Sequence, residues 1–400
     1  MKHLHPLISP LLLLCLTAWL CACEPAASHS SAANSQNAPR DQTATKKSLA
    51  TPQPSATSSF LSAGLSDNPW EALTQLPPEQ LQALRQAMLN RQLPATEDAK
   101  MRRIQNYLFQ FLRTSYYSML NPGGARSSKR PTGAQHIRLR SHDGLSLQAS
   151  YLPAAKKTHQ AVILLHGYAS NQSHTWVKYG HLSAEYNLLL LDLRGHNSQA
   201  GEVTLGVYET RDLQVAIRWL QGQGQRAFAL LGESLGAAVA ISGGAIWASG
   251  PGQQSFPLKA VWSDAAYADL RHAIAERAAA RMAYEAPKLS PSQQQWTATL
   301  ISDLCLSWLA RDTGVQDVEA VAPIRQLPAL VRHASYAQVH SSEDAQTSYA
   351  NAQLLESVAR AHASQALLFW ATTGEHVDSW HLKGYKPKLQ DFLKQAFAGG

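Results

Sequence analysis

Cysteine is nearly absent from this chain. Four occur in 400 residues, and Cys15, Cys21 and Cys23 crowd into the start. Only Cys305 lies further on, within Leu304-Cys305-Leu306, so no disulfide framework exists and Cys305 reads as a small buried hydrophobe. A metal-binding pattern is missing too. There are sixteen histidines, but they are dispersed and no His-Glu-x-x-His occurs. A complete glycine fingerprint for a dinucleotide is also lacking, because Gly232 and Gly236 stand mid-domain without the rest of the pattern. No cofactor is implied. Tyr284-x-x-x-Lys288 contains Pro287, which excludes it from a regular catalytic helix. The formal charge is +7, yet the tightest basic groups carry no interleaved aromatics. These are Lys100, Arg102 and Arg103, then Arg126, Lys129 and Arg130. They read as solvated faces, or as contacts to an anionic membrane surface, and nucleic acid is not an expected partner.

Nor is there an apolar run long enough to cross a membrane stably. The apolar segment Leu11-Leu12-Leu13-Leu14-Cys15-Leu16 follows Lys2 and is short enough for a leader. It ends in Leu20-Cys21-Ala22-Cys23, which resembles a bacterial lipobox. The resemblance implies a signal peptide over residues 1–22 and lipidation of Cys23, hence an envelope protein anchored to the inner or outer membrane. The alternative is an ordinary leader cut near Ala22 or Ala27, leaving a periplasmic or secreted protein. Residues 23–66 are rich in Ser, Ala, Thr, Gln and Pro, cannot bury enough surface to fold, and read as a flexible tether.

What is present is enough apolar material, 45% of the chain, for one large domain with extensions or for two. Residues 67–131 read as a helical arm. Asn68 caps with Pro69 at the first helical position, and Leu81, Leu84 and Met88 mark one apolar face. Met101, Ile104, Leu108 and Leu112 mark a second, continuing through Tyr116 and Tyr117. Asn121-Pro122-Gly123-Gly124 ends the arm. It packs against the main domain, touches lipid, or overhangs a site.

The main domain spans 132–400. His136 to Arg140 and Leu145 to Leu152 alternate around His142-Asp143-Gly144, a hairpin signal. Apolar runs then alternate with helical patterns: Ala161 to Leu165, Leu188 to Leu191, Phe228 to Leu231, Ala260 to Ser263 and Leu367 to Trp370. That rhythm predicts an α/β fold with a mostly parallel sheet covered on both faces. Residues 271–317 interrupt it with Ala-rich helix carrying Trp296, Leu300, Leu304 and Trp308. This insertion either caps and shapes a pocket or serves only as core.

Phe228 to Leu231 runs into Gly232-Glu233-Ser234-Leu235-Gly236 and then an Ala-rich, helix-prone segment. Strand, tight turn and helix are the context in which Gly-x-Ser-x-Gly exposes a nucleophilic serine. In open parallel sheets ligands bind at the carboxyl ends of strands. The segments there are His166-Gly167-Tyr168, Asp192-Leu193-Arg194-Gly195-His196, Ser234, and Thr373-Gly374-Glu375-His376-Val377-Asp378.

Together with Thr204-Leu205-Gly206, Glu209, Asp212 and Asp264-Ala265-Ala266-Tyr267-Ala268-Asp269-Leu270, these segments resemble the α/β-hydrolase superfamily, in its esterase- and peptidase-like branch. The resemblance covers Thr132 to the end. It implies an eight-stranded, mostly parallel sheet and a serine hydrolase. Ser234 would be the nucleophile, His376 the base, and the backbone N–H groups of Tyr168 and Leu235 the oxyanion donors.

The acid has competing assignments. If Leu330 to Ala334 is the penultimate strand, Ala337 stands where the acid belongs and the triad is broken. If Tyr336 to Ser341 is the strand, Asp344 is the acid and Tyr349 to Ala361 a helix behind it. Glu343 and Asp264 are the alternatives. The second strand reading has departures: Gln338 lies inside the strand, Ser341 replaces a usual glycine, and Thr347-Ser348 replaces a common Val-Pro pair. The expected activity is hydrolysis of an ester or related acyl bond in a small-molecule or lipid substrate. Peptidase, thioesterase and non-catalytic binding lipoprotein are the rivals, and the sequence specifies no oligomeric state.

Overall fold

The computed structural model describes residues 68–96, 98–123, 131–197 and 199–399. The expected leader, the tether, Cys23, Arg126, Lys129 and Arg130 lie outside these residues. Eight strands form one sheet in the order β1-β2-β4-β3-β5-β6-β7-β8. They are β1 (Gln135–Arg140), β2 (Ser146–Leu152), β3 (Gln160–Leu165), β4 (Asn187–Leu191), β5 (Ala227–Glu233), β6 (Leu258–Asp264), β7 (Ser335–Ser341) and β8 (Leu367–Thr372). Strand β2 runs antiparallel to both neighbours, and β3 to β8 pair in parallel.

The apolar strands are continuous because both faces of the sheet are covered. Side chains alternate between faces along a strand. Val162, Leu164, Leu188, Leu190, Leu231 and Trp262 pack with α4 (Gln172–Tyr179) and α12 (Tyr385–Ala398). Their neighbours Ile163, Leu165, Leu189, Leu191 and Leu230 pack into the opposite core. That core is closed by α5 (Glu209–Gly222), α6 (Leu235–Ala248), α10 (Pro323–His333) and α11 (Tyr349–His362). A short helix, α7 (Gly252–Ser255), precedes β6. Cys305 is free and fully buried, and burial pushes its thiol up to about 12.

The arm is three helices rather than two: α1 (Pro69–Thr74), α2 (Pro78–Leu89) and α3 (Ala99–Leu120). The Asn68 side chain accepts from the Trp70 N–H as expected. The helix stops at Thr74 because Pro77 and Pro78 follow, and neither can donate to a continuing ladder. The insertion is α8 (Leu270–Glu285) and α9 (Pro291–Thr313). Helix α8 ends before Pro287, and α9 opens with a Ser290/Gln293 capping box.

Arm and insertion pack on each other. The Trp308 indole donates to the Met88 carbonyl at 2.8 Å, the Tyr116 hydroxyl to Asp312 at 2.7 Å, and Arg91 pairs with Asp312 at 2.6 Å. Trp296 lines a cleft between arm and insertion with Leu73 and Leu81 and is 39% exposed. At its far end α3 reaches the loop after β3, where the Tyr168 hydroxyl donates to the carbonyls of Ser118 and Met119 at 2.9 and 3.0 Å. No helix among the described residues is long and apolar enough to cross a membrane.

The reading of Leu330 to Ala334 as a strand is overturned, since these residues end α10. Ile324, Leu327, Leu330 and Val331 carry the spacing of a helix face, and Pro323 suits its first turn. The penultimate strand is β7. Its Gln338 is buried but satisfied: the amide donates to the Ala352 carbonyl of α11 at 2.9 Å and accepts from the Tyr336 hydroxyl.

Candidate active site

Ser234 sits between β5 and α6 with φ 51° and ψ −116°, a backbone conformation that costs energy for any residue with a side chain. Two glycines permit it. A Cβ on Gly232 would overlap the Gly236 backbone, and one on Gly236 would overlap the carbonyls of Leu165 and His166. The Ser234 N–H is anchored on the Asp264 carbonyl at 2.8 Å.

The structure brings Ser234, His376 and Asp344 into one chain of hydrogen bonds. His376 Nε2 is 2.9 Å from Ser234 Oγ, and His376 Nδ1 is 2.6 Å from Asp344 Oδ2. The ionised carboxylate accepts only, so Nδ1 carries the proton and Nε2 accepts from the serine hydroxyl. Asp344 Oδ1 takes the N–H groups of Gln346 and Thr347 at 2.8 and 2.9 Å. Burial works to raise the Asp344 carboxyl. The His376 hydrogen bond and charge, with these two N–H groups, outweigh it and hold the group below its ordinary value.

The alternative acids lie elsewhere. Glu343 is exposed and accepts the Gly374 N–H at 2.9 Å. Its side chain ties the segment after β7 to the loop that carries His376. Asp264 is buried at the end of β6 and accepts from the Tyr385 hydroxyl at 2.9 Å. The strand alternation turns it toward α12, away from His376. Burial, with repulsion from Glu233, pushes its carboxyl up to about 7 against the Tyr385 hydrogen bond.

That shift has a measurable sign. The unfolded chain releases this proton near 3.8 and the folded chain near 7. The contribution to stability is therefore full below about pH 4 and is lost as pH rises to about 7. Asp264→Asn removes it. Urea unfolding from pH 4.5 to 7.5 is expected to show the variant gaining on wild type by up to about 1.4 kcal/mol per pH unit. Parallel stability curves would contradict the assignment.

The two residues expected as oxyanion donors, Leu235 and Tyr168, lie on either side of Ser234. Leu235 opens α6, so its N–H has no carbonyl within the helix to bond. Tyr168 follows Gly167, where an added Cβ would stand 3.3 Å from Ser234 Cβ, so this loop lies directly against the serine. His166 is buried and holds the turn. Nδ1 donates to the Gly167 carbonyl at 2.7 Å and Nε2 accepts the Leu193 N–H at 3.0 Å. Burial lowers its pKa to about 4, so it is neutral at pH 7.

Segments matched without a role in the sequence are struts. Arg194 grips Asp212 through two bonds of 2.7 Å and also pairs with Asp143. Asp192 accepts from the Gln172 N–H and amide at 2.9 and 2.7 Å. Glu209 takes the N–H groups of Thr204 and Gly206.

Sequence reasoning passed over two side chains near the site, and read a third, Ser341, only as a departure. Lys178 bonds Glu233, beside Ser234, at 2.9 Å, and the carbonyl of Val377, beside His376, at 3.3 Å. His340 donates from Nε2 to the Thr347 carbonyl and stands 3.5 Å from Asp344 Oδ2. Its position in β7, four residues before Asp344, was the available signal. Ser341 bonds the Gly374 carbonyl and accepts the Glu343 N–H at 3.1 Å. The departure from glycine thus cross-links the two loops.

An esterase of Pyrococcus furiosus superposes with a TM-score of 0.53 at 20% identity, covering 70% of this chain and 98% of that one. An acylaminoacyl peptidase of Pyrococcus horikoshii gives a TM-score of 0.47 at 16% identity, covering 65% of this chain and 41% of that one. At 20% identity the likeness to the esterase is one of fold. No curated protein matches the chain in sequence. The profile of the alpha/beta hydrolase family matches residues 162–386, from inside β3 to the start of α12. More than half of the sequence is covered, with the elbow, β7 and the His376 loop inside it, and the chain belongs to the alpha/beta hydrolase family.

Proposed function

We propose that the chain is a serine hydrolase of acyl esters, anchored to a bacterial envelope membrane by lipid on Cys23. The observation that carries the catalytic reading is the unbroken run of hydrogen bonds from Ser234 through His376 to Asp344. Ser234 Oγ attacks the acyl carbonyl carbon while His376 Nε2 takes the hydroxyl proton. Asp344 holds the imidazole in the accepting tautomer and stabilises the imidazolium. The oxyanion is received by the N–H groups of Leu235 and Tyr168. His376 then gives its proton to the leaving alkoxide, and the alcohol departs. Water attacks the acyl-enzyme with the same histidine as base, which frees the acid and restores Ser234.

Esters are favoured over amides because an alkoxide leaves more readily than an amine, and the Pyrococcus furiosus esterase has a like fold. The anchor rests on Leu20-Cys21-Ala22-Cys23 after an apolar segment. Residues 23–66 would then act as the tether between the membrane and the arm.

A panel of p-nitrophenyl esters from acetate to decanoate, with aminoacyl p-nitroanilides alongside, tests the reading. At least one ester is expected to turn over with kcat/KM of about 10⁴ M⁻¹s⁻¹ or more, and to exceed every anilide. Folded protein inert to the whole panel would instead favour a binding lipoprotein. Mass spectrometry of the mature N-terminus should find a lipid-modified Cys23; an unmodified peptide starting elsewhere would refute the anchor.

A further inference from the structure

Among the described residues seven that are not glycine have a positive φ, and Val377 is the one of them that is β-branched, at φ 51°. A side chain branched at Cβ crowds its own backbone there, so the conformation persists only where neighbouring bonds hold it. Val377 directly follows His376, and rotation about its N–Cα bond moves His376 relative to the Val377 carbonyl. That carbonyl accepts from Lys178 of α4 at 3.3 Å, and the same ammonium bonds Glu233 Oε1 at 2.9 Å. The side chains of Lys178 and Glu233 are 14% and 3% exposed. The ammonium therefore makes both bonds largely out of water, where a charged donor is held most firmly.

Glu233 closes β5 and directly precedes Ser234, whose own φ is 51°. Its Oε1 also accepts the hydroxyl of fully buried Tyr179 at 2.6 Å, which fixes the acceptor in place. Lys178 thus reaches from the residue before Ser234 to the residue after His376. Its ammonium also stands 5.8 Å from the ring of Trp380, three residues beyond Val377. The other side of His376 is held from the Asp344 loop. Gly374, two residues earlier, gives its carbonyl to the Ser341 hydroxyl and its N–H to Glu343. His376 sits between these two clamps, one on Gly374 from the Asp344 side and one on Val377 from the Ser234 side.

We propose that Lys178 is a positioning residue for the reaction at Ser234. By tying the Val377 carbonyl to Glu233, it keeps His376 Nε2 within hydrogen-bond reach of Ser234 Oγ. The inference rests on the hydrolase reading above and adds to it a group that acts through the backbone rather than on the ester. Proton transfer needs the two heavy atoms at hydrogen-bond distance. A shift of about 1 Å at His376 therefore costs turnover and leaves ester binding unchanged.

Lys178→Met is expected to lower kcat for the best p-nitrophenyl ester roughly ten- to hundredfold, with KM within about threefold of wild type. Adding Val377→Gly should recover most of that loss, because glycine adopts a positive φ without strain. Melting temperatures show whether each variant is folded. Should Lys178→Met not fold, Lys178→Met/Glu233→Gln takes its place, since it leaves no buried carboxylate without its cation. A folded variant with unchanged kcat, a loss borne by KM, or a loss that Val377→Gly does not reduce overturns the tether. The proton NMR resonance of His376 Nδ1–H, bonded to Asp344 at 2.6 Å, needs no turnover and so separates this inference from the hydrolase reading. Its absence in His376→Ala identifies it. The resonance is expected to broaden in Lys178→Met through faster exchange with water, and to sharpen again with Val377→Gly. If wild type hydrolyses no ester, that comparison decides. Broadening and its reversal support the tether, and equal line widths in wild type and Lys178→Met overturn it.

Discussion

Ser234→Ala is expected to lower kcat for ester hydrolysis by roughly four to six orders of magnitude, and His376→Ala to do the same. The size follows from the interdependence of the two groups. A serine hydroxyl is a poor nucleophile until the imidazole 2.9 Å away takes its proton. The imidazole in turn has nothing to activate once the hydroxyl is gone. Either loss therefore removes the same covalent route, and the double variant should be no slower than the slower single one. Residual hydrolysis would come from the oxyanion donors acting on water. Steady-state kcat with the best ester of the panel measures it. Additive losses, or a Ser234→Ala variant within tenfold of wild type, would place the chemistry elsewhere.

Asp344→Asn is expected to cost about 10⁴-fold in kcat with little change in overall fold. The carboxylate fixes which nitrogen of His376 carries the proton. An amide in its place can present N–H to Nδ1, which shifts the proton to Nε2 and leaves nothing to accept from Ser234. The charge that steadies the imidazolium is lost as well. Glu343→Gln and Asp264→Asn serve as comparisons and should each retain kcat within about tenfold. Glu343 only steadies Gly374, and Asp264 faces Tyr385. If Asp264→Asn alone collapses kcat, the assignment of Asp344 is wrong.

The sheet was legible because its strands are buried on both faces, so Ala161 to Leu165 and Leu188 to Leu191 stand out as unbroken apolar runs. Ser234 was legible because the elbow needs small residues at fixed offsets. The acid was harder for a physical reason. Strand β7 carries Gln338 and His340, and their burial is made acceptable by carbonyls of the following turn and helix, at Ala352 and Thr347. Such compensation is tertiary and leaves no local pattern. The substitution at Ser341 looked like a weak point and instead supplies a bond between the two loops, while Thr347 offers backbone groups to Asp344 and His340. The break between α1 and α2 could have been read from Pro77-Pro78.

The central claim is that Ser234 is the group that becomes acylated. Wild-type protein treated with a fluorophosphonate, digested and mapped by mass spectrometry tests it most directly. One adduct is expected, on Ser234, abolished by Ser234→Ala and strongly slowed by His376→Ala. An adduct on another residue, or folded wild-type protein that takes up no label, would contradict the account.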